Sequence, residues 1–230
     1  MVTLMHGDCM ELFKDVPAQS VDCIVTDPPY KIVSGGCTNK GNMATTGCLS
    51  RSREAVKQGK MFRYNEIKFA DWLPEAFRVL KDGAHCYIMV NGRNLAELNT
   101  ECVKAGFKYQ NLLVWNKGNV TPNKWYMNQC EFILLLRKGK AKNIRNMGTS
   151  TLISVPNIIG RKLHPTEKPV ELLKIMVENS TDEGQTVLDP FMGCGGTGVA
   201  CGTERNFIGF EIDRTYFEIA EHRIHEAECI

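Results

Sequence analysis

The sequence predicts an α/β protein with a doubly wound, mostly parallel sheet that has an antiparallel edge. Apolar runs of strand length alternate with segments of helical apolar periodicity, which is typical of strands joined by crossover helices. Two of the apolar runs also end in turns rich in proline or glycine, and ligands of such sheets bind at the carboxyl ends of strands. The 230 residues, 43% of them hydrophobic, suit a single domain spanning 1–230.

The predicted elements follow one another along the whole chain. The apolar positions of residues 64–80 recur every three or four residues, which indicates an amphipathic helix with a buried face. The strands at 111–115 and 130–136 are joined by a connection, 116–129, without an obvious helix, so we expect an antiparallel edge there. The other strands are predicted at 2–5, 21–26, 83–90, before Asp189 and from 207, and the other helices from 10, over 95–105, over 170–178 and from 199.

The first turn of interest is Asp27-Pro28-Pro29-Tyr30, directly after the apolar run 21–26. Proline fixes φ and donates no hydrogen bond, so the turn is stiff and brings a carboxylate, a carbonyl and an aromatic face together. Asp27 and the Pro28 carbonyl can each accept one N–H of an exocyclic amine while Tyr30 stacks on the base, which is catalysis by orientation and fixed dipoles. Taken alone, the tetrapeptide equally fits a structural turn in which Asp27 caps a nearby group.

The second turn lies in residues 185–198, where an apolar strand runs into a glycine-dense segment followed by a helix-compatible stretch. Glycines allow close approach of backbone N–H groups to a ligand, and a helix start favours an anion. Glu211 ends the next strand, 18 residues after Gly193, at a distance suited to binding ribose hydroxyls. The pattern favours an adenosine-containing cofactor, and a tight turn without a ligand is the alternative.

Four elements in this order resemble the S-adenosylmethionine-dependent DNA amino-methyltransferases, in their β arrangement. They are His6 to Cys9, Asp27 to Tyr30, His164 to Pro169, and Asp189 to Thr197 with Glu211 behind. In that family the D-P-P-Y turn precedes the cofactor loop, a circular permutation of the usual order. The resemblance covers nearly the whole chain and implies a Rossmann-like methyltransferase fold.

The resemblance also implies the site residues. Asp27, Pro28, Pro29 and Tyr30 would be catalytic, and S-adenosylmethionine would be the cofactor. Asp8 would accept from the cofactor's adenine, although an Asp before a helix is equally well read as an N-cap. Thr166 and Lys168 would hold the methionine end, which suits a hydroxyl and a cation facing a carboxylate. The implied cofactor-binding residues are Asp8, Cys9, Thr166, Lys168, Asp189, Phe191, Gly193, Gly195, Thr197 and Glu211.

The chain departs from the family's loop at two positions, since Cys194 stands for a serine and Gly196 for a threonine. Lost hydroxyls remove hydrogen bonds, so lower cofactor affinity is expected. The resemblance implies adenine N6 rather than cytosine N4 as the target in DNA, because the turn begins with Asp27 where the N4 enzymes of that family carry serine. The target base would be flipped out of the duplex. The alternatives are a cytosine-N4 enzyme, an enzyme acting on RNA, protein or a small molecule, and a nucleic-acid-binding protein of this fold without turnover.

Charge is distributed unevenly along the chain. Residues 117–168 carry a net charge of +8 and residues 171–230 a net charge of −8, so the middle of the chain is the expected face for duplex DNA. A loop at 34–60 and a small target-recognition region within 138–163 are predicted to contribute. A merely solvated basic surface, a loop without function and edge packing of Trp125 are the alternatives. The predicted nucleic-acid-binding residues are Lys40, Arg51, Arg53, Lys117, Lys124, Trp125, Lys140 and Arg145.

Other features narrow the class of protein. Ten scattered cysteines without a C-x-x-C pair indicate reduced thiols and a cytoplasmic location rather than a disulfide framework. No apolar run approaches the length of a membrane span, and no metal site is expected because His222 and His225 have no further ligand at zinc spacing. A homodimer is expected from the resemblance and from the small size of the chain, with a cognate restriction enzyme as a further partner.

Overall fold

A computed structural model describes residues 1–29, 67–121, 125–140, 142–160 and 162–229. Its centre, within these ranges, is an eight-stranded sheet in the order β1-β8-β7-β2-β3-β5-β4-β6. The strands are β1 (Val2–His6), β2 (Val21–Thr26), β3 (Leu80–Val90), β4 (Lys108–Thr121), β5 (Asn128–Arg137), β6 (Leu152–Ser154), β7 (Thr186–Asp189) and β8 (Asn206–Glu211). The helices are α1 (Cys9–Leu12), α2 (Phe69–Val79), α3 (Leu95–Lys104), α4 (Val170–Ser180), α5 (Gly196–Cys201) and α6 (Arg214–Glu228).

The sheet is mostly parallel, as predicted. β2 pairs in parallel with β3 and β7, and all six of its residues are buried, as expected for a strand covered on both faces. β5 is antiparallel to both β3 and β4, which confirms the predicted pairing of 111–115 with 130–136. The antiparallel strand lies inside the sheet rather than at its edge, because β6 adds a parallel strand beyond β4.

The connection predicted over 116–129 is mostly strand. β4 continues to Thr121 and β5 begins at Asn128, so the two strands form a hairpin longer than the apolar pattern indicates. The physical reason is that hydrophobic alternation marks only the part of a strand that covers a core, whereas backbone pairing continues through polar residues. The described end of this hairpin carries Trp125, Tyr126 and Met127, all of them exposed.

Two hydrophobic cores lie on the two faces of the sheet. One is built around α2, whose Trp72, Leu73 and Ala76 are fully buried, as the periodicity of 64–80 predicts for the residues from Phe69 onward. The other lies under α4 and α6, with Leu172, Met176, Ala220 and Ile224 among its buried residues. The helix predicted to reach residue 80 ends earlier, because Leu80 already belongs to β3.

The order of the strands places a topological switch point between β2 and β7. From β2 the chain goes on to β3 on one side, and from β7 it goes on to β8 on the other side. Connections that leave in opposite directions open a crevice at the carboxyl ends of these two strands, where ligands of open α/β sheets bind. The proline turn follows β2 and the glycine-rich turn follows β7, so both predicted turns meet at this crevice.

None of the helices in the described ranges has the length and apolar character needed to cross a bilayer.

Candidate active site

A buried carboxylate joins the two turns. Thr26, at the end of β2, donates a hydrogen bond to Asp189 Oδ1 at 2.8 Å, and Thr197 of α5 donates to Asp189 Oδ2 at 2.6 Å. The backbone N–H of Phe191 also donates to Asp189 Oδ1. Burial raises the pKa of Asp189 to about 6, and these three hydrogen bonds oppose the rise. Asp189 and Thr197, both predicted to bind a cofactor, therefore bind each other and hold the turns in register.

Asp27 lies beside this link with its two oxygens in different surroundings. Oδ2 accepts a hydrogen bond from Lys168 Nζ at 2.5 Å, while Oδ1 is buried and has no hydrogen-bond partner among the residues described. Burial raises the pKa of the Asp27 carboxyl, and the charge of Lys168 opposes that rise. The proline turn thus presents a buried carboxylate of which one oxygen accepts a hydrogen bond and the other has no partner among the residues described.

Lys168 connects Asp27 to a second carboxylate that the sequence analysis missed. Its Nζ lies 3.6 Å from Glu131 Oε2, and Glu131 Oε1 accepts a hydrogen bond from Lys117 Nζ at 3.1 Å. Burial raises the pKa of Glu131, but the two lysines outweigh it and hold that pKa below its ordinary value. The available signal was that Glu131 is one of only two acids between residues 117 and 168. The placement of Lys117 corrects its predicted role, because a buried lysine paired with Glu131 is not presented to a phosphate.

The other acid of that basic stretch is also buried. Glu167 Oε1 pairs with Arg223 Nη1 of α6 at 2.8 Å, and its Oε2 accepts from the backbone N–H of Leu163 at 2.8 Å. Arg223 Nη1 further lies 3.2 Å from the carbonyl oxygen of Cys194 and 3.1 Å from its sulfur. The residue that departs from the family loop is therefore held by an arginine, and burial raises the pKa of its thiol to about 11. This clamp, Glu167–Arg223, ties α6 to the segment before α4 and to the glycine-rich turn.

The glycine-rich turn rests on Glu211. The N–H groups of Gly193 and Asp213 donate to its two carboxylate oxygens at 3.0 and 2.8 Å. Gly195 requires glycine, because its φ is +79° and a Cβ there would lie 3.0 Å from the Cβ of Ala220. Glu211 at the end of β8 thus orients the turn, and each of its oxygens keeps a further lone pair.

The segment before α4 forms part of the wall of the cavity at this crevice. His164 packs its ring edge-on against Tyr216, with centroids 4.3 Å apart, and its Nδ1 lies 3.1 Å from the Thr166 hydroxyl. Burial, followed by the charge of Lys168, lowers the pKa of His164 to about 4, so the ring is neutral near pH 7. The lining joins apolar and polar groups: Asp27, Met89, His164, Thr166, Lys168, Leu173, Phe191, Met192, Gly193 and Thr197 are among its residues.

Asp8 and Cys9 lie at the end of β1, beside the end of β8. Asp8 accepts a hydrogen bond from the backbone N–H of Met10 at 2.9 Å, so its side chain caps α1. Cys9 is buried in the hydrophobic core under α2. The N–H of Gly7 donates to the carbonyl of Glu211, so the end of β1 lies beside the end of β8. β8 in turn neighbours β7, which the glycine-rich turn follows. The N-cap reading of Asp8 is confirmed, and its predicted contact with adenine stays a prediction.

The predicted nucleic-acid-binding residues separate into groups. Trp125 is 86% exposed at the hairpin end, which argues against edge packing. Lys140 and Arg145 follow β5, which is antiparallel to β3, so they lie at the amino ends of the parallel strands, on the side away from Asp27. Arg145 pairs there with Asp182. Lys40, Arg51, Arg53 and Lys124 lie outside the described residues, as do the predicted loop at 34–60 and the predicted catalytic residue Tyr30. Among the residues described, no group of three His, Cys, Asp or Glu side chains is placed to hold a metal ion.

Comparison with known proteins gives a consistent result. The model of a family of N6/N4 methyltransferases, described as DNA methylase, matches residues 21–154 and 146–222. The Type II methyltransferase M2.DpnII of Streptococcus pneumoniae is 30% identical over 247 residues, which cover 98% of this chain and 90% of that protein. M.HinfI of Haemophilus influenzae is 30% identical over 256 residues, covering 97% and 68%. The crystal structure of an M1.HpyAVI-SAM complex superposes with a TM-score of 0.71 at 27% identity, covering 97% and 100%.

Proposed function

Because the chain belongs to the N6/N4 DNA methylase family, we propose that it transfers the methyl group of S-adenosylmethionine to the N6 amine of adenine in DNA. The observation that carries the proposal is the open, buried oxygen of Asp27 in the crevice between β2 and β7. The lone pair of an exocyclic amine is delocalised into the ring, so the amine must be oriented before it can attack. Asp27 Oδ1 accepts one N–H and the Pro28 carbonyl accepts the other.

The target base must leave the duplex to reach this oxygen. Asp27 is less than one-fifth exposed at the bottom of the crevice, so an adenine in the base stack cannot approach it. Tyr30, the next residue of the turn after Pro29, is proposed to stack on the flipped base. Asp27 holds the amine during attack, and the proton that the nitrogen loses after transfer passes to the Asp27 carboxylate or to water.

The residues present fit S-adenosylmethionine. When bound, this cofactor supplies a methyl group on a sulfonium, which is transferred as the S–C bond breaks and leaves a neutral thioether. Glu211, at the end of β8, is proposed to accept from ribose hydroxyls through its remaining lone pairs, and its position at a strand end supports this. Phe191 and Met192 provide apolar walls, and Thr166 offers a hydroxyl to the methionine end. M1.HpyAVI, a structural relative, has been crystallised with SAM.

The choice of adenine N6 over cytosine N4 rests on Asp27 standing where N4 enzymes of the resembled family carry serine. Both amines require two acceptors, so the geometry of the crevice alone serves either base. Duplex DNA is the proposed partner, in keeping with the Type II methyltransferases that the chain resembles.

The test is mass-spectrometric analysis of modified bases in DNA from cells that express the chain, beside cells that express Asp27→Ala. We expect N6-methyladenine with the wild type and none with the variant, because the amine has lost one of its two acceptors. Lys174→Met, at an exposed lysine on α4, is the matched control and retains the modification. N4-methylcytosine would overturn the choice of base, and unmodified DNA would overturn the reaction.

A further inference from the structure

The protein gives the two carboxylate oxygens of Asp27 different surroundings. Oδ2 is held by the Lys168 ammonium at 2.5 Å, whereas Oδ1 is buried with no partner within the described part of the chain. A carboxylate free to rotate would offer either oxygen in many orientations. A carboxylate held by a charge-assisted hydrogen bond on one oxygen offers the other in a defined direction.

Lys168 is itself held from several sides. Its side chain is only 9% exposed, and Nζ donates to the backbone carbonyl of Thr166 at 3.2 Å as well as to Asp27. Glu131 of β5 faces it at 3.6 Å, and Lys117 of β4 holds the other oxygen of Glu131 at 3.1 Å. Lys117, Glu131, Lys168 and Asp27 therefore form a chain of alternating charges that runs from the hairpin strands to the proline turn.

The charges around Asp27 define what Lys168 does for it. Lys168 and Lys162 favour the ionised carboxyl, whereas Glu131 and Asp189 disfavour it. Lys168 is the group in hydrogen-bond contact with Asp27, and the strongest opponent of the burial that would otherwise protonate it. An Asp27 that became protonated would donate rather than accept at the oxygen meant for the amine.

We propose that Lys168 is a positioning residue of the transfer reaction: it holds Asp27 Oδ2 so that Oδ1 meets the target amine, and Glu131, fixed by Lys117, holds Lys168 in place. The inference rests on the proposed function for the identity of that amine. It replaces the expected role of Lys168, which was to bind the cofactor's methionine end. Lys168 acts on the amine through Asp27, and Glu131 acts through Lys168.

The first test needs no turnover. The carboxyl of Asp27, assigned by comparison with Asp27→Asn, is titrated by ¹³C NMR in the unliganded wild type, in Lys168→Met and in Lys174→Met. We expect the pKa of Asp27 to rise in Lys168→Met, because the cation that opposes burial is gone, and to stay in place in Lys174→Met. An Asp27 titration that is the same in Lys168→Met as in the wild type would overturn the inference.

The second test separates positioning from cofactor binding. Lys168→Met is expected to lower the single-turnover rate on the order of a hundredfold, as for a misplaced catalytic group, with unchanged affinity for S-adenosylhomocysteine. Parallel losses of rate and of affinity would identify Lys168 as a cofactor ligand and contradict the proposal. Glu131→Gln should lower the rate as well, and its effect should largely disappear in the Lys168→Met background, because both act through one carboxylate.

A destabilised Lys168→Met protein is also informative. The substitution leaves the Asp27 carboxylate buried without its cation, so Tm should fall, and Asp27→Asn/Lys168→Met should recover it. A double variant no more stable than Lys168→Met would contradict the pairing. A wild type that methylates no DNA would defeat the proposed function alone, since the titration and the Tm measurements test the Lys168 inference independently.

Discussion

At the scale of single residues, the two buried aspartates of the crevice differ in how their oxygens are satisfied. Asp189 accepts from Thr26, Thr197 and the N–H of Phe191, so both of its oxygens are engaged. Asp27 has one oxygen on Lys168 and one without a described partner. Buried polar atoms are normally satisfied, and an exception at the bottom of a cleft points to the substrate as the missing partner. Asp189 therefore links the two turns through its hydrogen bonds, and Asp27 is the proposed reactive member of the pair.

The pH dependence of stability tests the burial of Asp189. Its pKa is raised from 3.8 to about 6, so the folded state binds this proton more tightly than the unfolded state. The resulting stabilisation is fully present below pH about 4 and is lost as the pH rises through about 6. Asp189→Asn cannot titrate, so the unfolding free energy of the wild type relative to this variant should be about 2 kcal/mol higher at pH 4 than at pH 7. Urea denaturation at the two pH values measures this, and equal differences would contradict it.

At the scale of elements, α6 holds the segment before α4 and the glycine-rich turn through the clamp Glu167–Arg223. Glu167 is 4% exposed and Arg223 is 20% exposed, so the pair is largely removed from water. The same arginine reaches the sulfur and the carbonyl of Cys194, which stands at a family serine position. Helix α6 thus contacts the residue at which the chain departs from the family loop.

Two arginines on α6 provide a matched comparison of stability. Arg223→Ala leaves the Glu167 carboxylate buried without its cation, and should lower the free energy of unfolding by about 3 kcal/mol. Arg214→Ala removes a pair with Glu218 in which both side chains are more than half exposed, and should cost about 0.5 kcal/mol. Chemical denaturation of both variants measures the difference, and equal losses would show that the clamp adds nothing beyond a surface pair.

β5 is antiparallel to both β3 and β4, so β4 runs in the direction of β3 and β2 and ends on the side of the sheet where Asp27 lies. The hairpin of β4 and β5 therefore projects from that side. Trp125 and Tyr126 at its end are 86% and 88% exposed. Exposed aromatics beside a basic region are suited to stacking on bases.

Removing these rings should weaken DNA binding without affecting the fold. Trp125→Ala/Tyr126→Ala is expected to lower the affinity for duplex DNA about tenfold or more, since each stacked base is worth roughly 1–3 kcal/mol. Tyr109→Ala, at the opposite end of β4 and 51% exposed, is the matched control and should bind normally. Fluorescence anisotropy with a labelled duplex gives the affinities, and thermal denaturation should give one Tm for all three proteins. Equal affinities would remove the hairpin from the DNA-binding surface.

At the scale of the whole molecule, two turns that are distant in sequence meet in the sheet, because the proline turn comes early in the chain and the glycine-rich turn comes late. The proline turn and the glycine-rich turn follow adjacent strands, β2 and β7, although Thr26 and Asp189 lie 163 residues apart. The switch point brings them together, and the Thr26–Asp189 hydrogen bond links them directly. Folding must therefore bring both ends of the chain into one sheet before either turn acquires its partner.

The expected oligomeric state is a homodimer. A chain of 230 residues offers little surface outside its crevice, so one chain alone is expected to hold a DNA duplex poorly. Light scattering after size exclusion, at micromolar concentration, should give twice the mass of the chain. Addition of a duplex should leave two chains per complex. A mass of one chain in both conditions would contradict the expectation.

The sequence by itself determined seven of the eight described strands, all but β6, together with the two turns and the acid behind them. These features depend on local chemistry: the prolines after Asp27 end a strand, Gly195 occupies a conformation open to glycine, and Glu211 closes a short apolar run. Parallel strands present their carboxyl ends at one edge of a sheet, so the meeting of the two turns could also be predicted.

Only the tertiary structure decided which charged groups meet. The Lys168–Asp27 contact joins residues 141 positions apart, and Lys117 turned out to hold Glu131 rather than face a phosphate. Lys140 follows an antiparallel strand to the far edge of the sheet, a direction that composition does not encode. A buried ion pair is chosen by the packing of distant elements, because desolvation must be offset by a partner that local sequence cannot identify. The same packing decides that Asp27 Oδ2 meets Lys168 while Oδ1 is buried without a partner among the residues described.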